Sequence, residues 1–269
     1  MTTTQTTAED YARRVRRLLD QAENTEYEAE AEAFREKAYA LMEKYSIDQA
    51  MLNGHEQVER DELVTETFDF TGRFADANLL MSFYVATAFG MRGTKGERMK
   101  WQTGEKIKVL TLYGFASDMA KFRILNASLQ IQAVRAQKEW ERRIGLRTSN
   151  LAQWDKFKAR RAFITGFGNG VHNKLEQARR MAEREVAKEQ ATATGVTEEE
   201  ASTGVALVLR DRKETVDEWY DEIMGGGRRR KGRSFSNRGA HYATRAGREA
   251  GEKADTGQGG LGGNRRAIR

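Results

Sequence analysis

The chain has 269 residues, a net charge of +6 at neutral pH, 32% charged residues, no cysteine and no proline. The missing cysteine excludes disulfides, thiolate metal sites and a cysteine nucleophile, and the missing proline removes the strongest helix breaker from a chain of a size that would ordinarily hold roughly a dozen. No apolar run approaches the ~20 residues that span a bilayer, and the opening MTTTQTTAED lacks the basic and apolar regions of a signal peptide, so a soluble, cytoplasmic protein with no membrane role is expected.

The charge is unevenly spread. Residues 1–62 hold eight Lys/Arg against fifteen Asp/Glu, residues 63–224 hold 26 against 22, and residues 225–269 hold twelve against three, a net of +9. An acidic head and a strongly basic tail suggest either a polyanionic partner for the tail or attraction between the two ends.

In chain order, the Thr-rich residues 1–7 precede a first helix whose stripe is Tyr11, Val15, Leu18, Leu19 and Ala22, an apolar face at period 3.6 with Arg13, Arg14, Arg16 and Arg17 around it. Asn24-Thr25 breaks the pattern. Thr25 and Glu28 have capping-box spacing for a second helix, striped by Phe34, Ala38, Leu41, Met42 and Tyr45. Residues 8–52 thus read as a helical hairpin, with Leu19 and Leu41 buried against each other and Arg14 and Arg17 at the surface. A polar linker follows, and residues 60–224 read as an α+β domain. Leu63–Phe70 alternates like a strand. Ala75–Phe89 is an apolar helix ended by Gly90 and Gly93. Residues 98–103 and 105–113 form a β-hairpin with Gly104 near its turn. Long helices run over roughly 115–143 and 151–190. Gly166, Gly168 and Gly170 are awkward inside the second, and either a kink or the close approach of another helix would explain them. Val205–Leu209 is a short apolar run of the kind that adds a strand, and Lys213–Met224 is a last amphipathic helix.

Residues 225–269 form a basic, Gly-rich tail with twelve of the 25 glycines. Arg228, Arg229, Arg230, Lys231 and Arg233 place five cations within six residues, and Arg238 follows. Such segments bind DNA or RNA through phosphates, without sequence preference, and Phe235 or Tyr242 adds a ring to stack on a base. Alanine and glycine at near-helical spacing in 239–252 also permit a small-residue helix that docks on the body, and binding to a membrane surface is a third use for the charge.

Signals for catalysis are thin. His55, His172 and His241 lie in separate segments without metal-ligand spacing, and no P-loop or nucleophile-elbow motif occurs. Gly166–Val171 resembles a dinucleotide-binding turn but follows helical sequence. His55 with Glu56, Glu59, Asp61 and Glu62 has the residues of an acidic metal patch but reads sooner as a solvated linker, His172 reads as a partly buried structural residue, and Asp217, Glu218, Asp221 and Glu222, at spacings that allow a carboxylate pair, read sooner as a solvated helix face. No cofactor, metal or catalytic residue is assigned. Thirteen Lys/Arg lie in 135–184; there Arg142-Arg143 and Arg160-Arg161, with Trp140 and Trp154, make either a positive rim around residues 145–153 or an ordinary charged helix pair.

The run YARRVRRLLDQAENTEYEAEAEAFREKAYALMEKYSID resembles the bacterial and phage domain of unknown function 2786. It has the basic first helix ending in Leu18-Leu19-Asp20-Gln21-Ala22, the short break, and the Glu/Ala-rich second helix closing as Ala40-Leu41-Met42-Glu43-Lys44-Tyr45. The resemblance covers about 45 residues. It implies a second uncharacterised region after the hairpin and an origin among actinobacteria and their phages, and it carries over no activity. The expected molecule is therefore α+β and mostly helical: a helical hairpin, a small antiparallel sheet with long helices, and a basic Gly-rich tail. The leading functional expectation is a non-enzymatic nucleic-acid-associated accessory factor. The alternatives are a module that engages a host or partner protein, and an unrecognised hydrolase using the carboxylates.

Overall fold

The computed structural model describes residues 61–225 and 239–256, together with the single positions Arg17, Leu18, Gln21, Glu30, Phe34, Lys37 and Leu41. These single positions are helical; Leu18, Phe34 and Leu41 are half-buried and the other four exposed, as the two stripes require. Leu19 and Arg14 lie outside the described residues. The continuous parts hold β1 (Leu63–Phe70), α1 (Ala75–Ala88), β2 (Arg92–Met99), β3 (Lys106–Phe115), α2 (Ala116–Arg143), α3 (Gln153–Thr194), α4 (Glu198–Ile223) and α5 (His241–Glu252). The protein is α+β and mostly helical, with one small antiparallel sheet. It divides into two compact units: Glu59–Gln177 with Ala206–Ala254, and Met1–Val58 with Ala178–Val205 and Asp255–Arg269. In the second unit the described core residues are Val186, Ala187, Ala191, Ala201 and Val205.

The first unit is organised by its sheet. β3 is central and pairs antiparallel with both β1 and β2. β1 and β2 are therefore parallel, and α1 joins them as a split β-α-β unit. Alternation along β3 sorts its side chains. Leu110 and Leu112 face α1 and α2, where Phe122 meets Phe68 edge-on at 5.2 Å. Tyr113 faces the other way and meets Tyr220 and Trp219 of α4 at 5.1 and 6.1 Å. On the helix side Met81, Val85, Leu110, Leu112, Phe122 and Leu129 are fully buried. Among them one polar pair, Ser82 Oγ donating to Asn126 Oδ1 at 2.8 Å, ties α1 to α2. A buried hydroxyl and amide that satisfy each other avoid the ~1–3 kcal/mol that either would cost alone.

The hairpin differs from expectation. Its first strand is 92–99, not 98–103, and the turn spans Lys100 to Glu105. Lys100 N–H donates to Glu105 O at 2.9 Å, and Gly104 N–H donates back to Lys100 O at 2.8 Å. Gly104 takes φ +67, which a side chain disfavours, and this fixes the turn there. The sequence RGTKGERM hides β2 because an edge strand needs no apolar alternation, and Gly93 occupies a core-facing position where a Cβ would press on Leu112 at 2.9 Å. Gly93 therefore belongs to the strand, and Gly90 alone ends α1.

The run Val205–Leu209 is not a strand; it lies inside α4. Thr197 and Glu200 form a capping box: Thr197 N–H donates to Glu200 Oε2 at 3.0 Å, and Glu200 N–H to Thr197 Oγ1 at 3.3 Å. A helix started at 198 carries Ala201, Val205, Val216 and Tyr220 on one buried stripe, so the apolar run is one turn of a longer helical pattern that also takes in Lys213–Met224.

The small-residue helix of the tail does form and dock. α5 lies so close to α3 that a Cβ on Gly166 would overlap the Thr244 carbonyl, one on Gly170 the Arg248 carbonyl, one on Gly247 the Phe163 carbonyl, and one on Gly251 the Phe167 carbonyl. Two glycines spaced by four on each helix interlock, as in helix pairs whose backbones touch. Ala240 and Ala243 complete the seam against Trp140, Ala159, Ala162 and Phe163. Close approach, not a kink, accounts for Gly166 and Gly170; Gly168 faces the other way, where a Cβ would meet Met81 Cα at 2.7 Å.

Candidate nucleic-acid interface

Arg228, Arg229, Arg230, Lys231, Arg233 and Arg238 lie outside the described residues, as do Phe235 and His55. Their flanks are defined: Gly225 ends α4 with φ +58, and Gly239 opens α5 with φ +83. His241 is exposed. His172 is half-buried, with Nδ1 3.0 Å from the Tyr84 carbonyl, so Nδ1 carries the proton in a structural contact. The carboxylates of α4 are not all solvated: Asp217 forms a two-point ion pair with Arg92, whose second bond, Nη2 to Oδ2, is 2.6 Å. Among the described residues no group of three or more His, Asp or Glu is placed to hold a metal ion.

The rim around 145–153 comes apart into separate roles. Trp140 is buried and stacks on Phe163 at 4.9 Å. Arg160 is engaged by Glu141 through two bonds of 2.8 and 3.0 Å. Burial opposes the Glu141 charge, but the hydrogen bonds from Arg160 and Gln137 outweigh it and hold the carboxyl below its ordinary range. Burial pulls Arg161 below the usual arginine range despite Asp76 nearby. Arg142 and Arg143 are exposed. Trp154, at the start of α3, is 60% exposed.

Trp154 belongs to an arrangement that the chain order conceals. Its ring stacks on Phe157 at 5.5 Å, and Phe157 stacks on Phe74 at 5.4 Å. The Arg73 guanidinium lies 4.9 Å from the Phe157 ring, and Lys158 lies 5.7 Å from Trp154. Phe74 caps α1 four residues beyond the last residue of β1, so this ladder sits near the end of that strand. That is also the end at which β2 and β3 turn: Phe70, the last residue of β1, pairs with Lys108, and two further pairs, Ile107 with Arg98 and Lys106 with Met99, carry the hairpin past it. On the turn Trp101 is 98% exposed. Lys108 is neutralised by Glu97 and Asp76, and Arg98 by Asp69. Among the described residues Lys100 and Lys106 have no ion-pair partner. The sequence reading missed Trp101, Arg73 and Phe74; a tryptophan between Lys100 and a turn glycine was the available signal.

A dense polar cluster lies at the opposite end of the sheet and is internal. Arg212 Nη2 is 2.5 Å from Asp61 Oδ2 and 2.9 Å from both Ser117 Oγ and Asp118 Oδ2. Asp61 also accepts the Ser117 N–H at 3.1 Å, capping α2. This cluster holds β1, α2 and α4 together.

Residues 11–49 match the model of a family described as a protein of unknown function, DUF2786. No curated protein and no solved structure matches the chain. No helix among the described residues is long and apolar enough to cross a membrane.

Proposed function

We propose that this chain is a non-enzymatic, nucleic-acid-associated accessory protein whose segment 226–238 grips phosphates through Arg228, Arg229, Arg230, Lys231, Arg233 and Arg238. The observation that carries this reading is the concentration of charge: five cations in six residues, within a region of twelve Lys/Arg against three Asp/Glu. The docked α5 adds support, because the basic segment then joins two helices, α4 and α5, instead of hanging from a free end. Contacts to phosphates carry no base information, so binding to DNA or RNA is expected to be nearly independent of sequence. The test is a gel-shift titration of the wild type and a variant with Arg228, Arg229, Arg230, Lys231 and Arg233 all changed to Ala, at two salt concentrations. The variant should bind any nucleic acid more weakly, with a salt slope flatter by about 0.7–0.9 for each phosphate that is no longer neutralised. Absence of binding by the wild type at low salt overturns the reading.

A further inference from the structure

We propose that the end of the sheet bearing Trp101 and the Trp154–Phe157–Phe74 ladder is a base-stacking platform that selects single-stranded nucleic acid over duplex. The proposal rests on the nucleic-acid reading above and deepens it by naming the form of the partner.

Three observations converge. First, Trp101 leaves almost its whole indole in water on a turn closed by hydrogen bonds from Lys100 and Gly104. Burying a large apolar side chain is worth about 1.5–3 kcal/mol, and this one gains nothing of that within the described fold. The hydrogen-bonded turn fixes the backbone from which the ring projects. Second, the ladder from Phe74 through Phe157 to Trp154 is already stacked and ends in a half-open indole, so one more flat ring can extend it. Third, the register places both features at one end of the sheet together with Lys100 and Lys106, which have no ion-pair partner among the described residues, and with Arg73. Stacking rings interleaved with cations are what a single strand requires, since its phosphates and its base faces are accessible together. In a duplex the base faces are covered by their neighbours, so the rings find no partner there and only the phosphate contacts remain.

The experiment uses the full chain. Fluorescence anisotropy is read with oligo-dT of about 16 nucleotides, near the upper end of single-strand site sizes, and with a duplex of the same length, for the wild type and for Trp101→Ala, Trp154→Ala, Trp101→Phe and Trp154→Phe. Each Ala variant should lose roughly 5- to 150-fold in affinity for the single strand, as for one base–aromatic stack. Each should change little toward the duplex, and the Phe variants should retain most of the binding. Oligo-dT should also quench the tryptophan emission of the wild type, and less so that of Trp101→Phe. Because Trp101 is exposed, its variants should keep the wild-type melting temperature. If the wild type binds the single strand and the Ala variants bind it equally well, or weaken toward the duplex in the same proportion, the platform is refuted while the tail reading stands. If the wild type binds no nucleic acid at low salt, both fall together.

Discussion

Arg212 ties the sheet to two of its helices. From α4 it reaches Asp61 before β1 and Asp118 in the first turn of α2, and its guanidinium lies 3.7 Å from the centre of the Phe115 ring. Burial penalises the Asp118 charge, but Lys121 and Arg212 outweigh it and hold the carboxyl below the ordinary aspartate range. Replacing Arg212 by Met leaves two buried carboxylates facing each other, and urea unfolding should show a loss of about 3–5 kcal/mol. The pH dependence has a definite sign. A carboxyl with a depressed folded-state pKa contributes stability that is fully present above its unfolded value of about 4 and disappears as pH falls through the lower folded value. Stability measured from neutral pH downward should therefore fall steeply below about pH 4, and Asp118→Asn, already less stable at neutral pH, should show a shallower acid limb. An acid limb as steep in that variant as in the wild type would remove Asp118 from the account.

At the scale of elements, the glycines separate into two kinds that respond in opposite directions. Alanine in a helix interior is ordinarily better than glycine by about 1 kcal/mol. Gly204 in α4 has nothing within 4 Å of the place a Cβ would take, so Gly204→Ala should stabilise by about 0.5–1 kcal/mol. Gly247 in α5 meets the Phe163 backbone at that place, and α5 cannot stay seated if the group is added. Gly247→Ala should destabilise by about 1–3 kcal/mol and expose amides of α5 to faster hydrogen exchange. Equal effects of the two substitutions would mean that the crossing is not as close as described. The hairpin makes a related point about edges. Among the described residues β2 pairs on one side only, and its Lys95, Glu97 and Arg98 are charges of the kind that keep an edge strand from pairing with another chain.

At the scale of the whole molecule, the tail has two parts with different physics. The segment 226–238 carries charge, and α5 carries packing. Truncation after Gly225 would remove both and uncover Ala159, Ala162 and Phe163, so its melting temperature should drop by several degrees, at roughly 2–4 °C per kcal/mol for a chain of this size. If these five cations serve phosphates and not the fold, the five-fold Ala variant should melt within about 1 °C of the wild type. A clear shift would mean instead that these arginines pair with the acidic residues of 1–62. The sequence by itself determined α1, α2, α3, the second half of α4, β1 and the anomaly of Gly166 and Gly170, because a 3.6- or two-residue period and a misplaced glycine are local signals. It also determined the charge asymmetry on which the functional reading stands. Only the tertiary structure decided that the glycines receive α5, that Asp61 and Arg212 meet across a separation of 151 residues, and that Trp140 is buried while Trp101 and Trp154 are not. Burial is a property of what arrives from elsewhere in the chain, and identical indoles in equally basic surroundings become core or surface according to which elements pack over them.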